Sequence, residues 1–413
     1  MVRRGVPRGL RAGAVVALLS VLVLAAEAGC PQLCSMKVAP VCGEDGLPYL
    51  SACVAKCAGV RVKHNGYCSS NGGPGIRFDV GDLAPGRGGG KERAAAIDRE
   101  TMTAYREAGF AYLGRIRLAD EPGAPPNATA RLERGAVDGG RHALRYTPAG
   151  DVYYAPLAKA AAAAAAGGNG TELLRIPPVA PPGFSPPEPR RGLRMIIGSD
   201  ERGPCGQPPT YPLTAVGQLD FVTQNQDFIC SGALVRPNKV LTAAHCVWSV
   251  NDRAFVRGVA FAAGRHRAGD GTIVSPFGVQ RWKHVTLVSD FPATGEPGSD
   301  MAIVTLDEPV SAEAGTMGVD AACGPDDMRP KVMQTAGYAS DKYNGECVKE
   351  QCLVSLGCGA EATPHTCDTY MGQSGSPFWD GRNMVRGVHV RGMPTVNEFS
   401  NVNSKTLRSI LAS

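Results

Sequence analysis

Fourteen cysteines in 413 residues constrain this chain more than any other feature, because they fall into two blocks, six before residue 69 and eight after residue 204. An even count in each block, behind a leader-like start, implies disulfides formed in an oxidising compartment. That start is Met1 to Ala28. Arg3, Arg4, Arg8 and Arg11 make it positive, Ala12 to Ala26 is apolar but for Gly13 and Ser20, and Ala26-Glu-Ala28 offers a small-x-small cleavage site. The mature chain is expected to begin near Gly29 and to be secreted. A retained anchor is the rival, disfavoured because the run is short for a span; Ala-Gly-Cys30 also matches a bacterial lipid attachment, which Glu27 suits poorly. Losing four arginines and one glutamate takes the formal charge from +5 to +2, so charge implies neither a nucleic-acid partner nor a membrane partner.

Cys30, Cys34, Cys42, Cys53, Cys57 and Cys68 follow C-x3-C-x7-C-x10-C-x3-C-x10-C, with Pro40-Val-Cys-Gly-Glu-Asp-Gly46 and Tyr49 inside. A unit of about 40 residues needs such staples. Zinc is the other use of closely spaced cysteines, and an oxidising compartment disfavours it; no metal and no cofactor is called for. Residues 29–68 resemble a Kazal domain. The resemblance implies pairing of Cys30 with Cys57, Cys34 with Cys53 and Cys42 with Cys68, and an inhibitor loop Cys34-Ser-Met36-Lys37 with Met36 at the primary-specificity position. Such a loop inhibits by entering a protease cleft in a pre-formed shape, so its partner would be another serine protease. A non-inhibitory binding or spacer module is the open alternative.

From 69 to 194 the composition changes. Gly72-Gly-Pro-Gly75, Gly86-Arg-Gly-Gly-Gly90, the run Ala160 to Ala166 and Pro-rich Ile176 to Pro189 read as linker or pro-segment rather than packed core. Lys91 to Tyr112 is one candidate helix within it, and Asn127-Ala-Thr129 and Asn169-Gly-Thr171 are glycosylation sequons. The basic run Arg190-Arg-Gly-Leu-Arg194 invites processing that would free the Met195 amine, as in a zymogen.

Three short segments in the last part, 195–413, carry chemistry: Leu241-Thr-Ala-Ala-His245-Cys246, Ser299-Asp300-Met-Ala-Ile-Val304 and Gly372-Gln-Ser374-Gly-Ser-Pro377. A serine hydroxyl is a poor nucleophile at neutral pH. It needs a base within hydrogen-bond reach, and that base needs a carboxylate to fix its tautomer and stabilise the imidazolium. Glycines around the serine let the backbone turn sharply and present the Gly372 and Ser374 amides to an oxyanion; one such donor is typically worth about 2.7–4 kcal/mol in the transition state. Each segment alone could be an ordinary loop. Together, in strand-like contexts, they point to acyl transfer by Ser374, His245 and Asp300.

These segments, with Ile196-Ile-Gly-Ser-Asp-Glu-Arg202, Cys230-Ser-Gly-Ala-Leu-Val235, Cys367-Asp-Thr369 and Gly387-Val-His389, resemble the chymotrypsin-like serine proteases, in particular the V8-like branch of glutamyl endopeptidases. The resemblance implies an all-β fold of two six-stranded antiparallel barrels with the site between them, acting on protein or peptide substrates. Short apolar runs such as Lys239-Val-Leu241, Ala302-Ile-Val304 and Met384 to Val390, separated by Gly, Pro and Asp turns, agree with it. Ser404 to Leu411 would form a short terminal helix.

The resemblance also implies a disulfide between Cys230 and Cys246, a loop closure worth roughly 3 kcal/mol. Position suggests a further bridge between Cys205 and Cys323, leaving Cys347, Cys352, Cys358 and Cys367 in two bridges of open pairing. Where many trypsin relatives carry an aspartate before the nucleophile, this chain has Gln373, so a buried ion pair to a freed N-terminus is not available there. For substrate choice, Thr369 and His389 stand where the V8-like branch builds a pocket for glutamate. Asp368 stands where trypsins select arginine or lysine, so both specificities stay open. A secreted binding or inhibitor protein with an idle protease-like scaffold is the second class of function.

Overall fold

The computed structural model describes residues 41–44, 48–49, 52, 56, 60–65, 99–115, 142–157, 175–182 and 200–402, the last apart from 224–225, 251, 253, 343–344 and 393–395. Two units separate, Met1–Arg77 and Phe78–Ser413. In the first, β1 (Val41–Gly43) pairs antiparallel with β2 (Pro48–Tyr49) and β3 (Val62–Asn65), through Val41 opposite both Tyr49 and Asn65. A bulge follows Cys42, and Glu44 closes the sheet end on Arg61 through its amide (2.9 Å) and a 2.8 Å ion pair. The leader, the expected pairs of Cys30, Cys34, Cys42, Cys53, Cys57 and Cys68, the loop of Met36 and Lys37, the sequons at Asn127 and Asn169, Arg194 and Met195, and the terminal helix lie outside the described residues or side chains.

The second unit opens with α1 (Arg99–Glu107), β4 (Ala111–Arg115), β5 (His142–Tyr146) and β6 (Asp151–Pro156), followed by β7 (Arg175–Ile176) and β8 (Gly203–Pro204). Next come β9 (Val216–Thr223), β10 (Gln226–Arg236), β11 (Lys239–Thr242), a short pair β12 (Trp248–Ser249) and β13 (Ala254–Phe255), and β14 (Arg257–Ala263). A second short pair, β15 (His266–Arg267) and β16 (Ile273–Val274), precedes β17 (Gln280–Val288), the one-turn α2 (Asp290–Thr294) and β18 (Ala302–Leu306). Strands β14-β9-β10-β11-β18-β17 form a barrel in that order, closed by β14 on β17 at Ala260↔Arg281 and Phe261↔Gln280. Closure leaves no exposed edge, and the β-branched and aliphatic residues of β11 and β18 fill the interior, with Val240, Leu241, Ile303 and Val304 fully buried.

The rest of the unit is a second sheet of β19 (Gly318–Asp320), β20 (Lys331–Tyr338), β21 (Cys347–Val354), β22 (Ala362–His365), β23 (Pro377–Trp379), β24 (Met384–Gly392) and β25 (Asn397–Asn401). Its main path is β22-β25-β24-β23-β20-β21-β8, and β19 joins β24 in parallel, Gly318 opposite Met384. The all-β architecture with a closed six-stranded barrel matches expectation.

Two expectations are corrected. Within 69–194, residues 142–157 are packed core rather than linker: β5 pairs with β17 from Val285↔Tyr146 to Val288↔Ala143, and all five of its residues are buried. Tyr146 stacks on Phe255 at 4.2 Å, and Arg145 lies under the Tyr105 and Phe110 rings at 4.3 and 4.0 Å. The glycine and alanine clusters around this short hairpin dominate the composition and hide it. The disulfides also differ: Cys205 pairs with Cys347, Cys323 with Cys358 and Cys352 with Cys367, while Cys230–Cys246 matches the implied bridge. Strand β8 lies on β21, Pro204 opposite Val348, which sets Cys205 beside Cys347 instead of Cys323.

The docking of α1 predicts a pH dependence of stability. Tyr105 Oη lies 2.7 Å from His284 Nδ1, and the His284 Nε2 atom is buried without a partner among the described residues. Burial, then the charges of Arg145, Lys239 and Lys283, hold His284 well below the ordinary imidazole value. The unfolded chain takes up this proton near pH 6.5 and the folded one does so far below it, so the stability tied to neutral His284 is complete above pH 6.5 and falls as pH drops. Thermal or urea unfolding is expected to show about 2 kcal/mol lost from this group between pH 7 and pH 5, a slope that His284→Gln removes.

Candidate active site

The end of β11 carries His245 in a 3-10 turn, Ala244–Cys246, which the Cys230–Cys246 bridge ties to β10. Asp300 follows another 3-10 turn, Pro297–Ser299, and leads into β18. Strands β11 and β18 are antiparallel neighbours with Thr242 opposite Ala302, so their register brings the two turns to one end of the barrel. There a single carboxylate holds the histidine twice: the His245 amide donates to Asp300 Oδ1 at 2.9 Å, and ring Nδ1 donates to Oδ2 at 2.7 Å. Nδ1 is thereby the protonated nitrogen and Nε2 is left as a base. Burial works to lower the His245 pKa, but the charge and hydrogen bond of Asp300 outweigh it and raise the group above its ordinary value.

Half-buried Ser374 sits in the loop before β23. Its carbonyl accepts from the Ser231 amide at 2.7 Å and lies 3.7 Å from Cys246 Sγ, next to the histidine. Gly375 (φ 82°) admits no side chain, since a Cβ there would lie 2.2 Å from both Ser231 O and Thr242 Oγ1. Gly372 (φ 94°) is equally confined, with Tyr338 O at 2.5 Å from such a Cβ. Among the described residues, the Gly372 and Ser374 amides donate to no protein acceptor, whereas those of Gln373, Gly375 and Ser376 do.

Ser231 is a residue that the motif reading does not single out. Its buried hydroxyl donates to Gly372 O (2.9 Å) and accepts from the Tyr338 amide (2.8 Å), while its carbonyl accepts from Thr242 Oγ1 (2.8 Å). One side chain on β10 thus pins the serine loop to the barrel that holds His245. Its position directly after Cys230 is the only local signal.

Of the three expected substrate-binding residues, His389 is bonded directly to the serine loop. Its backbone bonds the serine loop on both sides, accepting from Gly375 N at 2.8 Å and donating to Ser376 O at 2.9 Å. Burial, then the nearby His245, pushes the His389 pKa down to about 3, so the ring is neutral at physiological pH. It packs edge-on against the buried ring of His365 at 5.5 Å, and His389 Nδ1 has no hydrogen-bond partner among the described residues. Thr369 is half-buried. Asp368 is differently engaged: its Oδ2 accepts from the Glu201 amide at 3.0 Å and its own amide donates to Glu350 Oε2 at 2.6 Å. Burial, then the charge of Asp368, lifts the Glu350 carboxyl to about 7.

Among the described residues, two three-residue groups have donor atoms close enough to hold a metal, Cys230 with His245 and Cys246, and Cys352 with His365 and Cys367. In both, the two cysteines are bonded to each other, so neither group offers a thiolate.

A closed β-barrel with a carboxylate-held histidine beside a glycine-flanked serine defines a class, and residues 212–404 match the family model described as Trypsin: this stretch is a trypsin-like serine protease domain. More particularly, the chain is 24% identical over 196 residues to the glutamyl endopeptidase of Bacillus licheniformis, a match covering 48% of this chain and 58% of that protein, less than two thirds of its length. It is 26% identical over 223 residues to a protein of Bacillus subtilis named extracellular metalloprotease, covering 52% of this chain and 68% of that one. Among solved structures, a Glu endopeptidase in complex with MPD is similar at 21% identity and a TM-score of 0.44, covering 51% of this chain and 94% of that one. A thermostable serine protease, AL20, is similar at 21% identity and a TM-score of 0.41, covering 48% and 95%.

Proposed function

We propose that this chain is a secreted serine endopeptidase that cleaves peptide bonds after glutamate. The observation that carries the reading is the double grip of Asp300 on the ring and the amide of His245, at the foot of the Ser374 loop. Ser374 Oγ attacks the scissile carbonyl carbon and passes its proton to His245 Nε2. The resulting oxyanion takes the open Gly372 and Ser374 amides; collapse expels the amine, which leaves with the proton from His245. Water then enters by the same route and frees the acid from the acyl-enzyme. Asp300 holds the imidazole in place throughout by its two bonds to His245.

Two features favour glutamate over arginine or lysine. The Asp368 carboxylate accepts from the Glu201 amide, so part of its capacity is already spent on the chain itself. The His389 ring beside the serine loop has an unused nitrogen, Nδ1; a glutamate carboxylate brought to it would favour the imidazolium, which donates from both nitrogens, and Thr369 would add a hydroxyl donor. Export fits the four bridges and the absence, among the described residues, of any helix long and apolar enough to cross a membrane. In this reading residues 29–68 act as a Kazal-type inhibitor or spacer, and cleavage after Arg194 releases the protease.

The test is a cleavage-site profile of a denatured protein mixture, run with the wild type beside Ser374→Ala and His389→Leu. Sites after Glu that vanish in the first variant and lose their Glu preference in the second support the reading. Clustering after Arg or Lys would shift specificity to Asp368, and silence of the wild type would favour a binding protein.

A further inference from the structure

Gln373, immediately before the serine, is almost fully buried, and its side-chain oxygen is not idle. Gln373 Oε1 accepts from the Tyr370 amide at 3.0 Å and from Arg202 Nη1 at 2.9 Å, while the Gln373 amide donates back to Tyr370 O at 3.0 Å. The turn from Tyr370 to Gln373 is therefore closed on one glutamine side chain, and Gly372, whose amide is a proposed oxyanion donor, lies inside it.

What holds that glutamine is a cation from the start of the domain. The Arg202 side chain is only 5% exposed. It is gripped by Asp200 (Nε to Oδ1 2.8 Å, Nη2 to Oδ2 3.0 Å) and by Asp341 (Nη2 to Oδ2 2.6 Å, Nη1 to Oδ1 3.2 Å). Lys342 Nζ adds a contact to Asp200 at 3.1 Å, giving two cations and two carboxylates. The backbone behind Arg202 is anchored as well, because Cys205 is bridged to Cys347 and β8 is paired with β21. A planar guanidinium with both its forks filled by carboxylates has a fixed direction, and the remaining hydrogen of Nη1 meets the glutamine.

We infer that Arg202 is a positioning residue for the oxyanion loop: through Gln373 it holds the Tyr370–Ser374 turn in its working shape from within the domain, so this shape needs no ammonium released by cleavage. The inference rests on the protease reading and adds to it a residue that touches no substrate. Processing upstream of residue 200 would then govern access to the cleft, leaving the assembly of the oxyanion donors untouched.

The test is a double-mutant cycle in the full chain, Arg202→Met, Gln373→Met and both together. It is read by kcat and KM on a peptide substrate, by the labelling rate of Ser374 with a fluorophosphonate, and by melting temperature. Misplacing catalytic groups by about 1 Å costs ~10²-fold in rate, so each single variant is expected to lose about that factor in kcat and in labelling rate with KM little changed. The double variant should lose no more than the worse single one. Asp341→Asn, at a quarter-exposed partner, loosens the same guanidinium with less risk to folding, and should lower kcat severalfold at an unchanged melting temperature. An active wild type with unaffected kcat in Arg202→Met, or in Asp341→Asn where the first does not fold, overturns the role of Arg202 alone, as do losses that simply multiply. A wild type that neither cleaves nor takes up the label overturns the protease reading and this role with it.

Discussion

Replacing Ser374 with alanine is expected to lower kcat by about 10⁶-fold and to leave the melting temperature nearly unchanged. The size of the loss follows from the division of labour. Without the hydroxyl, no acyl-enzyme forms, and His245 can at best activate a water that nothing aligns, while the oxyanion donors and substrate contacts persist and keep a small residual rate. The fold should tolerate the change because what binds this loop to the barrel is backbone: Ser374 O on Ser231 N, Gly372 O on Ser231 Oγ, and Gly375 N on His389 O. None of those bonds uses the Ser374 side chain. Steady-state kinetics on a peptide substrate, with a melting curve for each protein, check both halves; a variant within 100-fold of the wild type would show that another group is the nucleophile.

Replacing Asp300 with asparagine is expected to cost about 10⁴-fold in kcat through a change of tautomer. In the native site Oδ1 accepts from the His245 amide and Oδ2 accepts from Nδ1–H. An asparagine that keeps its oxygen on the amide must present its NH₂ to Nδ1, which then has to accept. The ring proton moves to Nε2, and a nitrogen that carries a proton cannot take one from Ser374. The pH profile should change too. The base must be neutral, so activity rises with pH through the His245 pKa, which Asp300 raises; the acidic limb of the wild type is expected above pH 6.5. In Asp300→Asn burial remains without the compensating charge, and the limb should move to lower pH. The sign for stability is the reverse of that for His284: the His245–Asp300 pair stabilises the fold below pH 6.5 and loses that contribution as pH rises through the raised pKa. A kcat/KM profile whose midpoint stays put in the variant would overturn this account.

The two histidines show how differently legible the chain is. His245 is readable in Leu241 to Cys246 because acyl transfer demands a base beside a serine and a carboxylate, and a demand of that kind leaves a short local signature. His284 carries no signature; its depressed pKa comes from the segment around α1 and β5 folding back over β17. The hairpin at 142–157 is missed for the same reason, since a few β-forming residues are outweighed by the glycine, alanine and proline around them, and only pairing with β17 makes them core. Among the cysteines, Cys230 and Cys246 stand next to a recognisable motif, whereas Cys205 finds Cys347 across a separation of 142 residues, through a strand contact that spacing does not encode.

From the sequence alone come the oxidising compartment implied by fourteen cysteines, the all-β architecture, and the residue types at His245, Asp300, Ser374 and Gly372 that acyl transfer would use. These are local demands, each met by a few neighbouring residues. The tertiary structure alone decides that one carboxylate grips His245 twice, that Ser231 pins the serine loop to the barrel, that Asp368 spends its oxygen on Glu201, and that Arg202 reaches Gln373. Each of these joins groups far apart in the chain, and such contacts depend on strand register and closure, which no short motif records.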